Sequence, residues 1–264
     1  MGKEITSVNY DRISKIYDTG RAAHPETVEK LVRLLGIAGN SKILDMGCGT
    51  GNYTWALYKT TKNIIGLDYS FGMLEQAKAK YTEIPFLQGD VTDLSFESET
   101  FDGTFAIQVL HHIKEKERFL REAHRVMRKQ AHIALHACSH EQMRVYWFYH
   151  YFPRGLDVDL ARMPDSLEIA LLLEKAGFTK VGIEICYRDA VVADEKPQSY
   201  LDKSYRDSIS TFSFLREADI QSGCTKILDD ITSGGVIKIV QQSENDIATR
   251  VGGSYIIYGQ KPDQ

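Results

Sequence analysis

Three carboxylates stand where short apolar runs give out. Asp45 follows Ile43-Leu44, Asp68 follows Ile64-Ile65-Gly66-Leu67, and Asp90 follows Ile84–Leu87 within Gly89-Asp90-Val91. Asp45 also opens the run Asp45-Met46-Gly47-Cys48-Gly49-Thr50-Gly51. Glycines there let the backbone turn tightly and let a ligand approach the main chain with no Cβ in the way. A helical pattern follows, so free helix N–H groups adjoin whatever fills the turn. Asp68 stands 21 residues after Gly47, a separation at which an acid can accept hydrogen bonds from both ribose hydroxyls of a nucleoside cofactor. Asp90 is placed to accept from an adenine amino group, and Asp93 reads as a turn residue. An isolated buried carboxylate is costly, so Asp45 calls for a cationic partner.

Histidines supply the second chemistry. His111 and His112 follow a fourth apolar run. Each could take a proton from a hydroxyl or amine acceptor, and each could equally be hydrogen-bonded structure opening the next helix. His136 and His140, at the end of a fifth run, face the same choice. The four cysteines, Cys48, Cys138, Cys186 and Cys224, form no CxxC pair, so neither a disulfide framework nor a zinc cage is expected, and no metal-ligand cluster is evident.

These groups need a scaffold that brings several strand ends to one edge. The pattern predicts strands at Ile43-Leu44, Ile64–Leu67, Ile84–Leu87, Phe101–Ile107, His132–Cys138, Phe178–Tyr187 and Ser254–Gly259. Between them it predicts helices at Thr54–Tyr58, Phe71–Lys80, Ile113–Lys129 and Ser166–Ala176, the last opened by Asp165 with Glu168 three residues on and stopped at Gly177. Such alternation argues for a parallel sheet with helices on its faces. Two stretches break the alternation: the aromatic-rich Ser139–Pro164, and Arg188–Arg250 with Ile220, Cys224, Ile227, Leu228 and Ile231 at helical spacing. Both read as insertions that pack together into a cap.

Composition removes several function classes. The 32 Lys+Arg and 36 Asp+Glu leave a net charge of −4, which argues against a surface built to coat nucleic acid or anionic membrane. No apolar run approaches the roughly 18 residues of a membrane span, and no secretory apolar region opens the chain. The expectation is a cytoplasmic protein with no membrane and no nucleic-acid partner. Met1-Gly2 with Thr6 and the acceptor-like Asn52-Tyr53-Thr54 carry little weight beside that.

The run DMGCGTG, Asp68, the segment GDVTDLSF and FDGTFAIQVLHHI together resemble the class I S-adenosylmethionine-dependent methyltransferases, of the small-molecule methyltransferase type 11 kind. The resemblance spans about residues 5–138, with weaker support to about 187, and leaves 188–250 uncovered. It implies a Rossmann-like α/β fold: a seven-stranded, mostly parallel sheet in the order 3-2-1-4-5-7-6, strand 7 antiparallel, with helices on both faces and an inserted helical cap. It implies a core and N-terminal lid at 1–138, cap segments at 139–164 and 188–250, a core helix and strand at 165–187, and a last strand and tail at 251–264. S-adenosyl-L-methionine would lie with its methionine end over Asp45, Gly47 and Gly49 beside Cys48. Asp68 with Tyr69 would hold the ribose region, Asp90 and Val91 the adenine, and Gln108 the sulfonium region. Met73 would pack or touch the adenine. The segment Tyr10–Asp18 resembles the family's lid, with Tyr17 and Arg21 as candidates to close over the cofactor.

Rival readings follow from the same residues. A nicotinamide dinucleotide fold wants G-x-G-x-x-G, but Asn52 stands where the third glycine belongs, and Asp45 would repel a pyrophosphate. A catalytically silent subunit that binds the cofactor and a partner through 188–250 is the other alternative. No Asn-Pro-Pro-Tyr tetrad follows the fourth run, which reads Ile107-Gln108-Val109-Leu110, and the chain holds no Pro-Cys dipeptide. Methylation of protein or DNA nitrogens, and of cytosine C5, is thereby disfavoured. The expectation is an enzyme acting on a small-molecule O, N or C atom, releasing S-adenosyl-L-homocysteine.

Overall fold

The computed structural model describes Asp11, residues 22–187 and residues 196–263. Helix α1 (Pro25–Leu34) leads into β1 (Ile43–Met46), α2 (Asn52–Tyr58), β2 (Ile64–Asp68), α3 (Phe71–Lys80), β3 (Phe86–Gln88) and β4 (Phe101–Ile107). A short 3-10 turn at Leu110–His112 precedes α4 (Lys116–Val126) and β5 (Met127–Ala137). Next come α5 (His140–Val145), α6 (Phe148–Tyr151), α7 (Pro153–Arg162), α8 (Ser166–Lys175) and β6 (Thr179–Cys186). Helices α9 (Lys203–Asp207), α10 (Glu217–Ser233) and α11 (Gly235–Asp246) precede the last strand, β7 (Ser254–Gln260).

All seven strands form one sheet in the order β3-β2-β1-β4-β5-β7-β6. The pairs among β1 to β5 are parallel, and β7 runs antiparallel to β5 and β6. That is the expected topology. A sheet covered on both faces demands strands that are apolar on both sides. Accordingly Leu44, Met46, Leu135 and Ile257 enter one core, while Ile43, Ile64, Ala134 and Ile256 enter the other. Among the described residues, no helix is long and apolar enough to cross a membrane.

Several boundaries differ from the sequence pattern, and two of the differences have a clear physical cause. Helix α4 stops at Val126 and β5 starts at Met127, rather than the helix running to Lys129. Phe101 pairs with Met127, and the register then shifts before Gly103 pairs with His132. Gln130, with φ 63°, lies within this irregularity, which resembles a bulge. Arg128, Lys129 and Gln130 are exposed there, so the strand carries no apolar signal. Strand β3 likewise begins at Phe86. Pro85 has no N–H to add to a ladder, and its carbonyl accepts from Gly66 N at 3.1 Å.

The segments that interrupt the alternation share a third cluster: Trp147, Phe148, Tyr151, Phe152, Tyr200, Phe212 and Ile227. Several of its rings meet edge to face, as with Phe152 and Phe212 at 4.9 Å and 77°. Of the expected apolar face of α10, Ile227 is fully buried, whereas Leu228 and Ile231 are exposed. Asp159, 1% exposed, ties α7 to the later segment. It accepts from Tyr149 OH at 2.9 Å, Thr211 Oγ1 at 2.8 Å and Arg162 Nε at 2.7 Å.

Helix α10 approaches α6 through Gly223, where a Cβ would stand 2.3 Å from Phe152 Cε1 and 2.7 Å from the Tyr151 carbonyl. Gly223→Ala should therefore destabilise the fold by about 1–3 kcal/mol. A denaturation midpoint equal to that of the natural protein would show that this contact is not close.

Candidate active site

Strand β1 delivers its last residues into a turn held by its neighbours. Gly47 N and Cys48 N both donate to Leu67 O, at 2.7 and 3.0 Å. Gly47 adopts φ 85°, and a Cβ on it would stand 2.5 Å from Val109 Cγ2. Gly49, at φ 53°, has open space where its Cβ would be, so the backbone face of the turn is accessible. Behind the turn, the Phe86 ring fills the room left by Gly51 and Gly66.

Asp45 lies on the floor of this turn at 1% exposure. Its Oδ2 accepts from Thr54 Oγ1 at 2.6 Å, while Oδ1 is buried with no hydrogen-bond partner among the described residues. Burial pushes the carboxyl up to about 7; the Thr54 hydroxyl works against that shift and the charge of Asp68 adds to it. A buried acid with one oxygen unanswered is stabilised by an incoming cation. Asp68 closes the turn from β2, its Oδ2 accepting from Gly49 N at 2.7 Å and Oδ1 from Ser70 N at 2.9 Å. Burial raises its pKa, and these backbone hydrogen bonds oppose the rise. Burial also pushes the Cys48 thiol well up, so it stays protonated.

Asp90 follows β3, which Gly89 N joins to Asp68 O at 3.0 Å. Its carboxylate is exposed and accepts from Thr92 N and Thr92 Oγ1, both at 2.7 Å. Val91 is half-buried against the core, and Tyr69 is 77% exposed beside Asp68. Met73 is buried at 2% exposure within α3.

Gln108 stands at the end of β4 with φ 54°. Its N–H donates to His136 O at 3.0 Å, and its Nε2 lies 3.3 Å from Cys138 Sγ and 3.4 Å from His136 Nδ1. His136, buried, pairs its Nε2 with Ser254 Oγ at 2.8 Å. Gln108, His111, Cys138, Met163 and Pro164 line one narrow cleft with His136. His112 is exposed, its ring 3.8 Å from that of His111. His140 is tied to the 163–165 loop, its N–H on Asp165 Oδ2 and its Nε2 beside Met163 O, each at 2.8 Å. The structure thus gathers the glycine turn with Asp45 and Asp68, and a second group around Gln108 and His136. Tyr17 and Arg21 lie outside the described residues.

Several participants were not read from the sequence. Thr54 and Ser254 carry no local signal, because their partners are remote in the chain. Ser70 does: a serine just before a helix is a capping signature, and its Oγ accepts from Met73 N. Asp11 accepts from Ser70 Oγ at 2.6 Å and Gly72 N at 2.9 Å, and these bonds pull its carboxyl down. Among the described residues, no group of three His, Cys, Asp or Glu side chains could hold a metal ion.

The donor implied by the resemblance is an adenosyl amino acid carrying an ammonium. An orphaned buried oxygen on Asp45 and an open glycine backbone fit such a group. The family model described as a methyltransferase domain matches residues 44–135. The chain is 30% identical over 163 residues to the demethylmenaquinone methyltransferase of Streptomyces griseus, covering 53% of this chain and 69% of that one. Its counterpart in Lactococcus lactis is 29% identical over 218 residues, covering 68% and 86%. Among solved structures, a methyltransferase of an antibiotic biosynthesis pathway from Anabaena variabilis superposes with a TM-score of 0.76 at 24% identity, covering 90% of this chain and 98% of that one.

The titration of Asp45 has a definite sign. A carboxyl raised to about 7 in the folded protein binds a proton that the unfolded chain has released above 3.8, so unliganded stability falls as pH rises between those values. A cationic ligand prefers the ionised form. Affinity for S-adenosyl-L-methionine should rise about tenfold from about pH 5.5 to about pH 7.5. In Asp45→Asn, calorimetry should find that rise abolished; an unchanged profile would assign it to another group.

Proposed function

Since the chain belongs to the class I S-adenosylmethionine-dependent methyltransferases, we propose that it methylates a small-molecule acceptor held between the β4 and β5 ends and the inserted helices. The observation that carries this reading is the buried, unanswered oxygen of Asp45 under an open glycine turn. In it, Asp45 holds the ammonium of S-adenosyl-L-methionine, and the turn Gly47–Gly49 leaves room for its amino-acid end. Asp68 holds the ribose, Asp90, Val91 and Tyr69 border the adenine, and Gln108 borders the sulfonium. Tyr17 and Arg21 would close over the cofactor from the N-terminal segment.

When bound, the sulfonium supplies an electrophilic methyl group and departs as a neutral thioether. The protein's task is then to align the nucleophile and exclude water. A proton must be taken only from an acceptor that arrives protonated. His111, at the cleft, suits that role, whereas His112 faces outward. Met163, Pro164 and Leu110 form the apolar part of the cleft's lining. The relatives' names put a quinol of the demethylmenaquinone type first among acceptors to test.

Asp68→Ala should weaken S-adenosyl-L-methionine binding about 10–100-fold, the worth of hydrogen bonds to a charged group. Titration calorimetry showing full affinity would remove the ribose assignment. His111→Ala should lower turnover about 10²–10⁴-fold at unchanged cofactor affinity, measured as labelled-methyl transfer to reduced demethylmenaquinone and a small-molecule panel. Normal turnover would leave His111 a structural residue. Cofactor binding with no transfer to any member would instead favour the silent-subunit reading.

A further inference from the structure

We infer that Glu122 and Arg125 of α4 are positioning residues for the adenine end of the cofactor: together they hold the exit of the Asp90–Asp93 turn, whose entry is held by β2. The inference rests on the proposed function and deepens it at the base. Asp93 N donates to Asp90 O at 3.0 Å and closes the turn. On the entry side, Gly89 N donates to Asp68 O, also at 3.0 Å. On the exit side, Leu94 follows directly and is buried at 5% exposure. Residues 94–100 lie outside the strands, so their backbone groups need partners from elsewhere.

Helix α4 supplies those partners from one face. Leu94 N donates to Glu122 Oε2 at 2.8 Å. Arg125 answers the carbonyls, its Nη2 donating to Leu94 O at 2.8 Å and its Nη1 to Phe96 O at 2.7 Å. Glu122 in turn aims the guanidinium, accepting from Nε at 2.8 Å and from Nη2 at 2.7 Å. Nη2 carries two hydrogens, so it serves Leu94 O and Glu122 Oε2 together. Hydrogen bonding to Arg125 holds the Glu122 carboxyl below the usual carboxylate range. The main chain adds to the grip, since Glu99 N donates to Arg125 O at 3.0 Å. One turn earlier on the same face, Arg118 comes within 3.8 Å of Asp93. A planar fork with fixed donor directions makes this set possible; a lysine keeps the charge and loses the fork. The residue after the turn is thus fixed at both its N–H and its carbonyl, and the position of Asp90 and Val91 depends on that anchor as well as on β2.

The test uses the full chain and two probes titrated by calorimetry: S-adenosyl-L-homocysteine, and its analogue with unsubstituted purine in place of adenine. The analogue lacks the amino group that would donate to Asp90. The natural protein should bind the adenine probe about 10–100-fold more tightly, the worth of a hydrogen bond to a charged group. Arg125→Met should cut that preference to about threefold or less, while the purine probe loses at most about twofold. Arg125→Lys should do the same, and as the milder change it keeps the test valid if Arg125→Met does not fold. Arg121→Met, which alters an exposed arginine of the same helix, should leave both affinities unchanged. A role confined to stability would weaken both probes alike or neither. Either of those outcomes, or a preference that survives in the Arg125 variants, would overturn the inference. Equal binding of the two probes by the natural protein would remove the Asp90 assignment, and failure to bind either probe would remove the cofactor reading; this inference falls with each.

Discussion

An acid buried to 1% exposure, with one oxygen bonded to Thr54 and the other without a partner among the described residues, raises the free energy of the unliganded protein. The gap between 3.8 and about 7 for Asp45 corresponds to on the order of 4 kcal/mol once the carboxyl is ionised. A fold can keep such a group only if burial elsewhere offsets it. Here the offset comes from a sheet whose central strands are apolar on both faces and covered on both. The same sheet determines where the acid stands, because parallel strands end together at one edge. Stability and ligand recognition therefore draw on one architectural fact.

The turn over Asp45 is shaped from three neighbouring strands rather than by its own residues alone. Leu67 at the end of β2 takes two backbone hydrogen bonds from it, Val109 after β4 presses against Gly47, and Phe86 of β3 fits against Gly51 and Gly66. The glycines answer to different surroundings. A side chain at Gly47 would collide with Val109, whereas one at Gly49 would meet open space and merely cover the backbone. The first glycine is thus a packing requirement and the second leaves room for a ligand.

This division explains what could be read from the sequence. The alternation of strands and helices, the glycine turn, Asp45 and Asp68 were legible because burial on two faces and tight turns impose local composition; the strand order came with the family resemblance. The capping of α8 by Asp165 and its stop at Gly177 were legible for the same reason. The start of β5 was not, since Arg128, Lys129 and Gln130 are exposed and carry no apolar period. Nor were Thr54 for Asp45 or Ser254 for His136, because a hydrogen-bond partner 9 or 118 residues away leaves no mark on local pattern. Met73, placed by resemblance near the cofactor, lies inside α3's packing face, as its spacing with Leu74 and Ala77 also permits.

Asp159 provides an internal control on the meaning of Asp45. Both are aspartates at 1% exposure, and both sit where helices meet other elements. Asp159 receives two hydroxyls and the guanidinium of Arg162, so its charge is answered within the protein. Breaking that set would leave a buried charge unpaired, which makes the acid a structural tie between the inserted helices. Asp45 receives one hydroxyl and no cation among the described residues. The difference lies in where the partner comes from: Asp159 is complete in the folded chain, and in the proposed reading the ammonium of the cofactor completes Asp45.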